Sequence, residues 1–355
     1  MSETKTKKAA VKADVLKPYG VTAELALELM QEMLVYRRFE EKAEEAYAIG
    51  KIGGFCHLHI GQEGGAAGSI KALREDDYVI SAYREHTQAI AKGVNPNAVM
   101  AELYGRVGGA SGGKGGSMHI FGAHVRFMGG HGIVGSQVPL ATGFGWKIKY
   151  REEDSVVVCY MGDAAVNQGA FHESLNMAAI WKLPVIYVVE HNLYGMGTAF
   201  TRVSTTEMQE KSKAHGVTGT TVDGQDVLAT YALFRKLAQE VRDGSGPKFV
   251  TLETYRFRGH SMSDPVSGTY RSTAEVEERK KEDDPIAILR DKLYAGGLVD
   301  RPELEAMDAK ARRIASEAAE FAENSPIPGP ETLYRNVWAV ENPNGRLFFD
   351  GRRRD

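Results

Sequence analysis

The clearest pattern along the chain is a pair of unbroken apolar runs in its middle third. Residues 155–161 (SVVVCYM) are mostly β-branched and lie between Asp154 and Gly162, and residues 184–190 (PVIYVVE) repeat the pattern. Apolar runs without polar alternation fit strands that are covered on both faces. Residues 169–181 between them read as a helix. Strand, helix and strand in about 36 residues make a βαβ unit, which sets its strands parallel. A helix over 225–242 and a strand over 248–254 (KFVTLET) continue the alternation. Near the start, Leu25, Leu29, Met33, Tyr36, Ala43 and Tyr47 form one face of a helix that Thr22 can cap and Gly50 can stop. Shorter helices are predicted near 62–73 and 85–105, with later ones near 285–295 and 302–323. In the last, Leu304, Met307, Ala311, Ile314, Ala318 and Phe321 recur at helical steps and pack either on their own domain or on another subunit. Residues 105–135 are predicted to be mostly loop. The fold class is α/β, a mainly parallel sheet flanked by helices.

Residues 1–17 are lysine-rich and predicted to be a flexible tail. Residues 18–340 are read as one large domain with helical extensions, and 341–355 as a C-terminal tail. The start lacks the apolar stretch of a secretory signal. It also has no arginine and carries Glu3 and Asp14, unlike a mitochondrial presequence.

Composition narrows the class. With 43% apolar and 26% charged residues the chain is globular, not disordered, collagen-like or a coiled coil. A net charge of −3 gives no general attraction to nucleic acid or to acidic membranes. No apolar run reaches membrane-spanning length. Two cysteines, Cys56 and Cys159, make no disulfide framework and fit a reducing cytoplasm. Glycine is concentrated: 14 of the 39 glycines fall in residues 105–145, without a three-residue period. That segment therefore needs close backbone approach or positive φ. The stretch GGASGGKGG (108–116) is not a phosphate loop of the Walker type, because Lys114 is followed by Gly115 and not by Ser or Thr. No HExxH or paired CxxC motif is present.

The strand ends carry the candidate chemistry. In open α/β sheets ligands bind beyond the carboxyl ends of strands. One predicted strand delivers Asp163 there and the next delivers Asn192. Two hard oxygen donors with a nearby backbone carbonyl suit Mg²⁺ bound together with phosphate, and the helix after Asp163 offers its N-terminus to an anion. Asp or Asn after a strand is also an ordinary helix cap, so these two residues alone leave the matter open.

The full run 162–198 (GDAAVNQGAFHESLNMAAIWKLPVIYVVEHNLYGMGT) resembles the thiamine diphosphate motif. GFCHLHIGQE (53–62), SAYREH (81–86), GGKGGSMH (112–119), GIVGSQVP (132–139) and YRFRGHSMSDP (255–265) extend the likeness. From about residue 20 to 340 the chain resembles the alpha subunits of the decarboxylating component of pyruvate dehydrogenase, within the thiamine diphosphate-dependent 2-oxo acid dehydrogenases. The resemblance implies a thiamine diphosphate-binding fold and these roles. Asp163, Asn192 and the Tyr194 carbonyl hold Mg²⁺. Ala164 and Ala165 approach the diphosphate through their backbone, Tyr83 and Arg84 reach its phosphate end, and Gly132 and Val134 touch the aminopyrimidine. His57 faces the substrate and His260 sits on a mobile active-site loop; both suit proton and charge work near neutral pH. His131 is a weaker candidate, and Arg256 holds that loop or steers the acyl acceptor. Ser261 matches the position at which mitochondrial relatives are phosphorylated, but the segment after Pro265 is one residue longer than their pattern.

Two positions depart from the family's pattern. Ala164 stands for the third glycine of the motif and His191 for the first asparagine of its pair. The implied activity is the thiamine diphosphate- and Mg²⁺-dependent oxidative decarboxylation of pyruvate, with acetyl transfer to a lipoyl group. Branched-chain 2-oxo acid or acetoin dehydrogenase alpha chains are the alternative within that chemistry. A scaffold subunit without cofactor is the alternative outside it, and the two departures would support it. The resemblance and the length further imply a beta subunit that completes the site, in a tetramer of two alpha and two beta chains, and a lipoyl-bearing dihydrolipoamide acetyltransferase.

Overall fold

The computed structural model describes residues 15–335. Residues 1–14 of the N-terminal tail expected over 1–17, residues 336–340 of the expected domain and the whole C-terminal tail over 341–355 lie outside the described residues. Leu16, expected within the N-terminal tail, is instead buried in a core with Leu29, Met33 and Leu293.

Helix α1 (Ala23–Ala48) is capped by Thr22, whose hydroxyl accepts from the Leu25 amide. It buries Leu29, Met33, Tyr36 and Ala43 of the anticipated stripe, and Leu25 and Tyr47 lie at its edge. Next come α2 (Glu63–Lys71) and β1 (Tyr78–Ala82). The helix expected over 85–105 is two, α3 (His86–Ala91) and α4 (Pro96–Leu103). Gly93, at φ 108°, ends the first turn of chain, and Asn95 caps the second with Pro96 at its first position. Strand β2 (Phe127–His131) and α5 (Gln137–Tyr150) follow. Then come β3 (Val157–Gly162), α6 (Gly169–Ile180), β4 (Val185–His191) and a short hairpin, β5 (Tyr194–Gly195) with β6 (Thr198–Ala199). The chain continues through α7 (Met208–Lys213), β7 (Thr218–Asp223), α8 (Val227–Glu240) and β8 (Lys248–Glu253). Helices α9 (Thr273–Glu282), α10 (Pro285–Ala295) and α11 (Arg301–Asn324) close it.

Six strands form one sheet in the order β2-β1-β3-β4-β8-β7, all pairs parallel. The central strands are buried on both faces, with alternate residues in opposite layers. Val158, Tyr160, Ile186, Val188 and Val250 pack with α1, α4, α8 and α11. Val157, Cys159, Met161, Val185, Tyr187 and Phe249 pack with α5 and α6. Helix α11 buries Ala311, Ala315, Ala318 and Ala322 and half-buries Leu304, Met307 and Ile314 against its own chain, where Arg38 binds Asp308 at 2.6 Å, while Phe321 of the anticipated stripe is exposed.

The glycine-rich segment is ordered around a carboxylate. Glu102, on α4 and fully buried, accepts four backbone N–H groups: Ser111 at 2.7 Å and Gly113 at 2.9 Å on Oε2, Gly115 at 2.6 Å and Gly116 at 3.2 Å on Oε1. A Cβ on Gly109 would stand 2.2 Å from Glu102 Oε2. The glycines let the backbone close on a side chain of the protein itself.

Candidate active site

The strand order reverses at β1, which pairs with β2 on one side and β3 on the other. Ligand crevices form at such switch points, and a cavity of about 580 Å³ opens there. Residues just beyond the carboxyl ends of five strands line it: Tyr83 and Arg84 after β1, Gly132 and Val134 after β2, Asp163–Ala165 after β3, Asn192 after β4 and Arg256 after β8. Tyr194, His57 and His260 complete the set, so all the residues given catalytic, cofactor or metal roles from sequence, apart from the weaker candidate His131, line one cavity. His131 does not line it; its ring packs edge-on to Phe121 at 5.8 Å, and Nε2 reaches the Met128 carbonyl at 3.3 Å.

Asp163 and Asn192 are both buried. Asn192 Nδ2 donates to Gln62 Oε1 at 3.1 Å, and its Oδ1 has no partner. The Thr254 hydroxyl donates to the same Gln62 oxygen at 3.2 Å. Asp163 Oδ2 accepts from His191 Nδ1 at 3.0 Å. Leu193 at φ 72° and Met196 at φ 55° bracket the turn that brings Tyr194 to the cavity. Ala164 does not adopt positive φ. Its methyl faces Gly195, where an added Cβ would lie 2.7 Å away, and a Cβ on Gly162 would meet nothing within 4 Å. Among the described residues no three His, Cys, Asp or Glu side chains converge as a metal site.

The same cavity is lined by two arginines. Arg256 is 1% exposed and Arg84 6%. Arg84 donates to the carbonyls of Leu58 at 2.6 Å and His260 at 2.7 Å. Arg256 donates to the Arg258 carbonyl at 3.2 Å, the Met196 carbonyl at 3.4 Å and the Tyr270 hydroxyl at 3.1 Å. Among the described residues neither guanidinium has a carboxylate partner. Burial, and then the neighbouring Arg256 charge, pull Arg84 down to about 10.

His57, Tyr83 and His260 form an aromatic cluster, with ring centroids 4.6 Å apart for His57–Tyr83 and 5.2 Å for His57–His260. Burial and the Arg84 charge push His57 down to about 2 and His260 to about 3. Both rings are therefore neutral near pH 7, and Nδ1 of each is buried without a partner. The loop around His260, read from sequence as mobile, is tied by several bonds. The His260 amide donates to Asp264 Oδ2 at 2.8 Å, as does the Tyr270 hydroxyl at 2.8 Å, and Arg271 reaches the carbonyls of Val266 at 2.8 Å and Arg256 at 2.6 Å. Ser261 is buried there, its hydroxyl 2.9 Å from that of Ser263.

Several functional supports escaped the sequence reading. Glu40 Oε2 bonds His86 Nδ1 at 2.9 Å, and His86 Nε2 meets Ser117 Oγ at 2.8 Å. Ser117 Oγ in turn accepts the His57 amide at 3.1 Å. Glu190 lines the cavity and pairs with His59 at 2.8 Å and Gln88 at 2.9 Å. His59 and Gln62 fall inside GFCHLHIGQE, so that motif contained the signal.

This architecture has well-matched relatives. The family model for the dehydrogenase E1 component matches residues 31–331. The pyruvate dehydrogenase E1 component subunit alpha of Rhizobium meliloti is 47% identical over 312 residues, 88% of this chain and 89% of that protein. The subunit of the same name from Zymomonas mobilis is 46% identical over 321 residues, 90% of each chain. The chloroplastic subunit alpha-3 of Arabidopsis thaliana is 42% identical over 332 residues, 92% of this chain and 76% of its own length. With cavity, sheet and sequence in agreement, the chain belongs to the dehydrogenase E1 component family.

Proposed function

We propose that this chain is the alpha subunit of a cytoplasmic pyruvate dehydrogenase that binds thiamine diphosphate through Mg²⁺. It acts with a beta subunit, two of each per tetramer, and delivers the acetyl group to a lipoyl group of dihydrolipoamide acetyltransferase. The observation that carries the reading is one cavity with two buried guanidiniums lacking carboxylate partners beside a buried, unpartnered Asn192 oxygen. Unpaired buried charge is costly. A polyanion with its cation satisfies both walls at once.

The residues present fit the cofactor. Asp163, Asn192 Oδ1 and the Tyr194 carbonyl are an all-oxygen donor set suited to Mg²⁺. Arg84 and Arg256, with Tyr83, would take the diphosphate by charge-assisted hydrogen bonds. The backbone at Ala164 and Ala165 lets phosphate approach, since the Ala164 methyl is turned to Gly195. Gly132 and Val134 would shape the pyrimidine end. Bound thiamine diphosphate supplies a thiazolium carbon that accepts the electron pair left when carbon dioxide departs from a 2-oxo acid. His57 and His260, neutral in this cavity, each present one N–H and one acceptor nitrogen. Either can donate to a carbonyl oxygen as negative charge grows on it, and take the proton back later. Phe55, Ile133, Val134 and Met196 are large apolar side chains exposed at or beside the mouth, which a partner chain would cover.

The test is carbon dioxide release from pyruvate by the chain co-purified with its beta partner. Release that requires both thiamine diphosphate and Mg²⁺ is expected, and Asp163→Ala should abolish it. Release only from a branched 2-oxo acid would move the substrate and keep the mechanism. No release from any 2-oxo acid by a folded complex would make the scaffold reading the leading one.

A further inference from the structure

The family pattern has asparagine where this chain has His191, and the structure gives the imidazole a task. Strands β3 and β4 run in parallel register with Gly162 beside Glu190, so the residues that follow, Asp163 and His191, emerge side by side. His191 Nδ1 stands 3.0 Å from Asp163 Oδ2. A carboxylate can only accept, so Nδ1 carries the proton. The ring is held from its other side by Phe200, edge-on at 5.0 Å and 72°. The Phe200 amide is anchored on the Leu193 carbonyl at 2.9 Å. Asp163, with 3% of its side chain exposed, thus has one oxygen engaged.

We infer that His191 is a positioning residue for the cation site: its Nδ1–H fixes the rotation of the Asp163 carboxylate so that Oδ1 is presented to the metal. The inference rests on the metal reading under Proposed function. A parallel device acts on the second ligand, because Gln62 takes the amide nitrogen of Asn192 and leaves its oxygen free. Each side-chain donor therefore has one atom held by a neighbour and one atom offered. Such outer partners typically govern metal affinity by 10–100-fold.

The experiment is a Mn²⁺ titration of the chain with its partner in saturating thiamine diphosphate, read by the loss of the free-ion paramagnetic resonance signal. His191→Phe keeps a ring and loses the donor; its half-saturating Mn²⁺ concentration should rise about 10-fold, with an unchanged metal-free melting temperature. His191→Asn, whose amide can donate, should recover to within about 3-fold of the native value, a small part of that range. Native Mn²⁺ affinity in His191→Phe would overturn the inference, as would an Asn variant no better than the Phe variant. A fall in metal-free stability alongside the affinity would overturn it in favour of a purely structural histidine. Phe200→Leu keeps the imidazole and removes its clamp, and must weaken Mn²⁺ binding in the same direction. Asp163→Asn separates the two levels. If it retains native Mn²⁺ affinity the metal reading itself fails, whereas its loss beside a silent His191→Phe sinks only the positioning role.

Discussion

Replacing Glu102 by glutamine is the sharpest test of what the glycine-rich segment does. The change is nearly isosteric, yet it turns one carboxylate oxygen into an NH₂ group facing two N–H donors. If Oε2 is replaced, the amides of Ser111 and Gly113 lose their acceptor at 2.7 and 2.9 Å and meet a donor instead. If Oε1 is replaced, Gly115 and Gly116 do. Each stranded amide costs about 1–3 kcal/mol when buried, and the two surviving bonds lose their charge assistance. The glycines themselves are only half-buried, so water softens the penalty, and about 2–4 kcal/mol of lost stability is expected. That is a large share of the roughly 5–15 kcal/mol of a folded domain. The effect should also reach the cavity. The loop carries Ser117, which accepts the His57 amide at 3.1 Å, and Met118, which lines the site. Urea unfolding should give the stability change, and limited proteolysis should show new cleavage between 108 and 116. A stability loss under about 0.5 kcal/mol, the range of an ordinary surface substitution, with the loop still protected, would refute the account.

Other consequences follow from the same geometry. Gly195→Ala should force the Ala164 and Gly195 backbones apart and weaken diphosphate binding. Adding Ala164→Gly should restore it, and a calorimetric double-mutant cycle measures that coupling. Arg84→Met and Arg256→Met should each lower affinity for inorganic pyrophosphate by about 10-fold or more, the scale of one charge-assisted bond, as read by calorimetry. His57 and His260 titrate far below the imidazole value in the folded chain, so below about pH 6.5 the unfolded state takes protons that the native state refuses. Stability should then fall with decreasing pH, by about 1.4 kcal/mol per pH unit for each group, until the folded values near 2 and 3 are approached. His57→Asn should flatten that dependence of the urea midpoint on pH.

The sequence was most legible where one period dominates. The β3–α6–β4 unit is apolar in blocks and bounded by Asp and Gly, so its type and edges were readable. β2 was not, because its residues FMGGH include two glycines and no β-branched side chain. The reason is local: a Cβ on Gly130 would fall 1.9 Å from the Glu85 carboxyl, so the position excludes any side chain. Helix α5 was hidden in the same way by Pro139, Gly143 and Gly145. The edge strand β7 was missed since Thr218–Asp223 is polar and half-exposed. At the site, the residues that line the cavity were readable from motif likeness. The supports behind them were not, because Glu40, His86 and Ser117 meet only through the tertiary fold, far apart in sequence.

The two departures from the motif show what the motif requires. A glycine gives phosphate access only if no side chain stands in the way, and at position 164 that condition is met by direction: the methyl points into space that Gly195 leaves empty. An asparagine beside the aspartate offers a hydrogen-bond donor, and at position 191 the imidazole offers one from Nδ1 at 3.0 Å. Both substitutions thus keep a local geometry that suits the motif while changing the letter, each through one particular neighbour. Loss of the cofactor would remove the reason for either match, and it would leave Arg84 and Arg256 as buried charges without carboxylate partners among the described residues, in the cavity that also holds an unpartnered amide oxygen. A scaffold that had shed its ligand would have no cause to keep that arrangement, whereas an enzyme that binds a metal-bridged diphosphate needs every part of it.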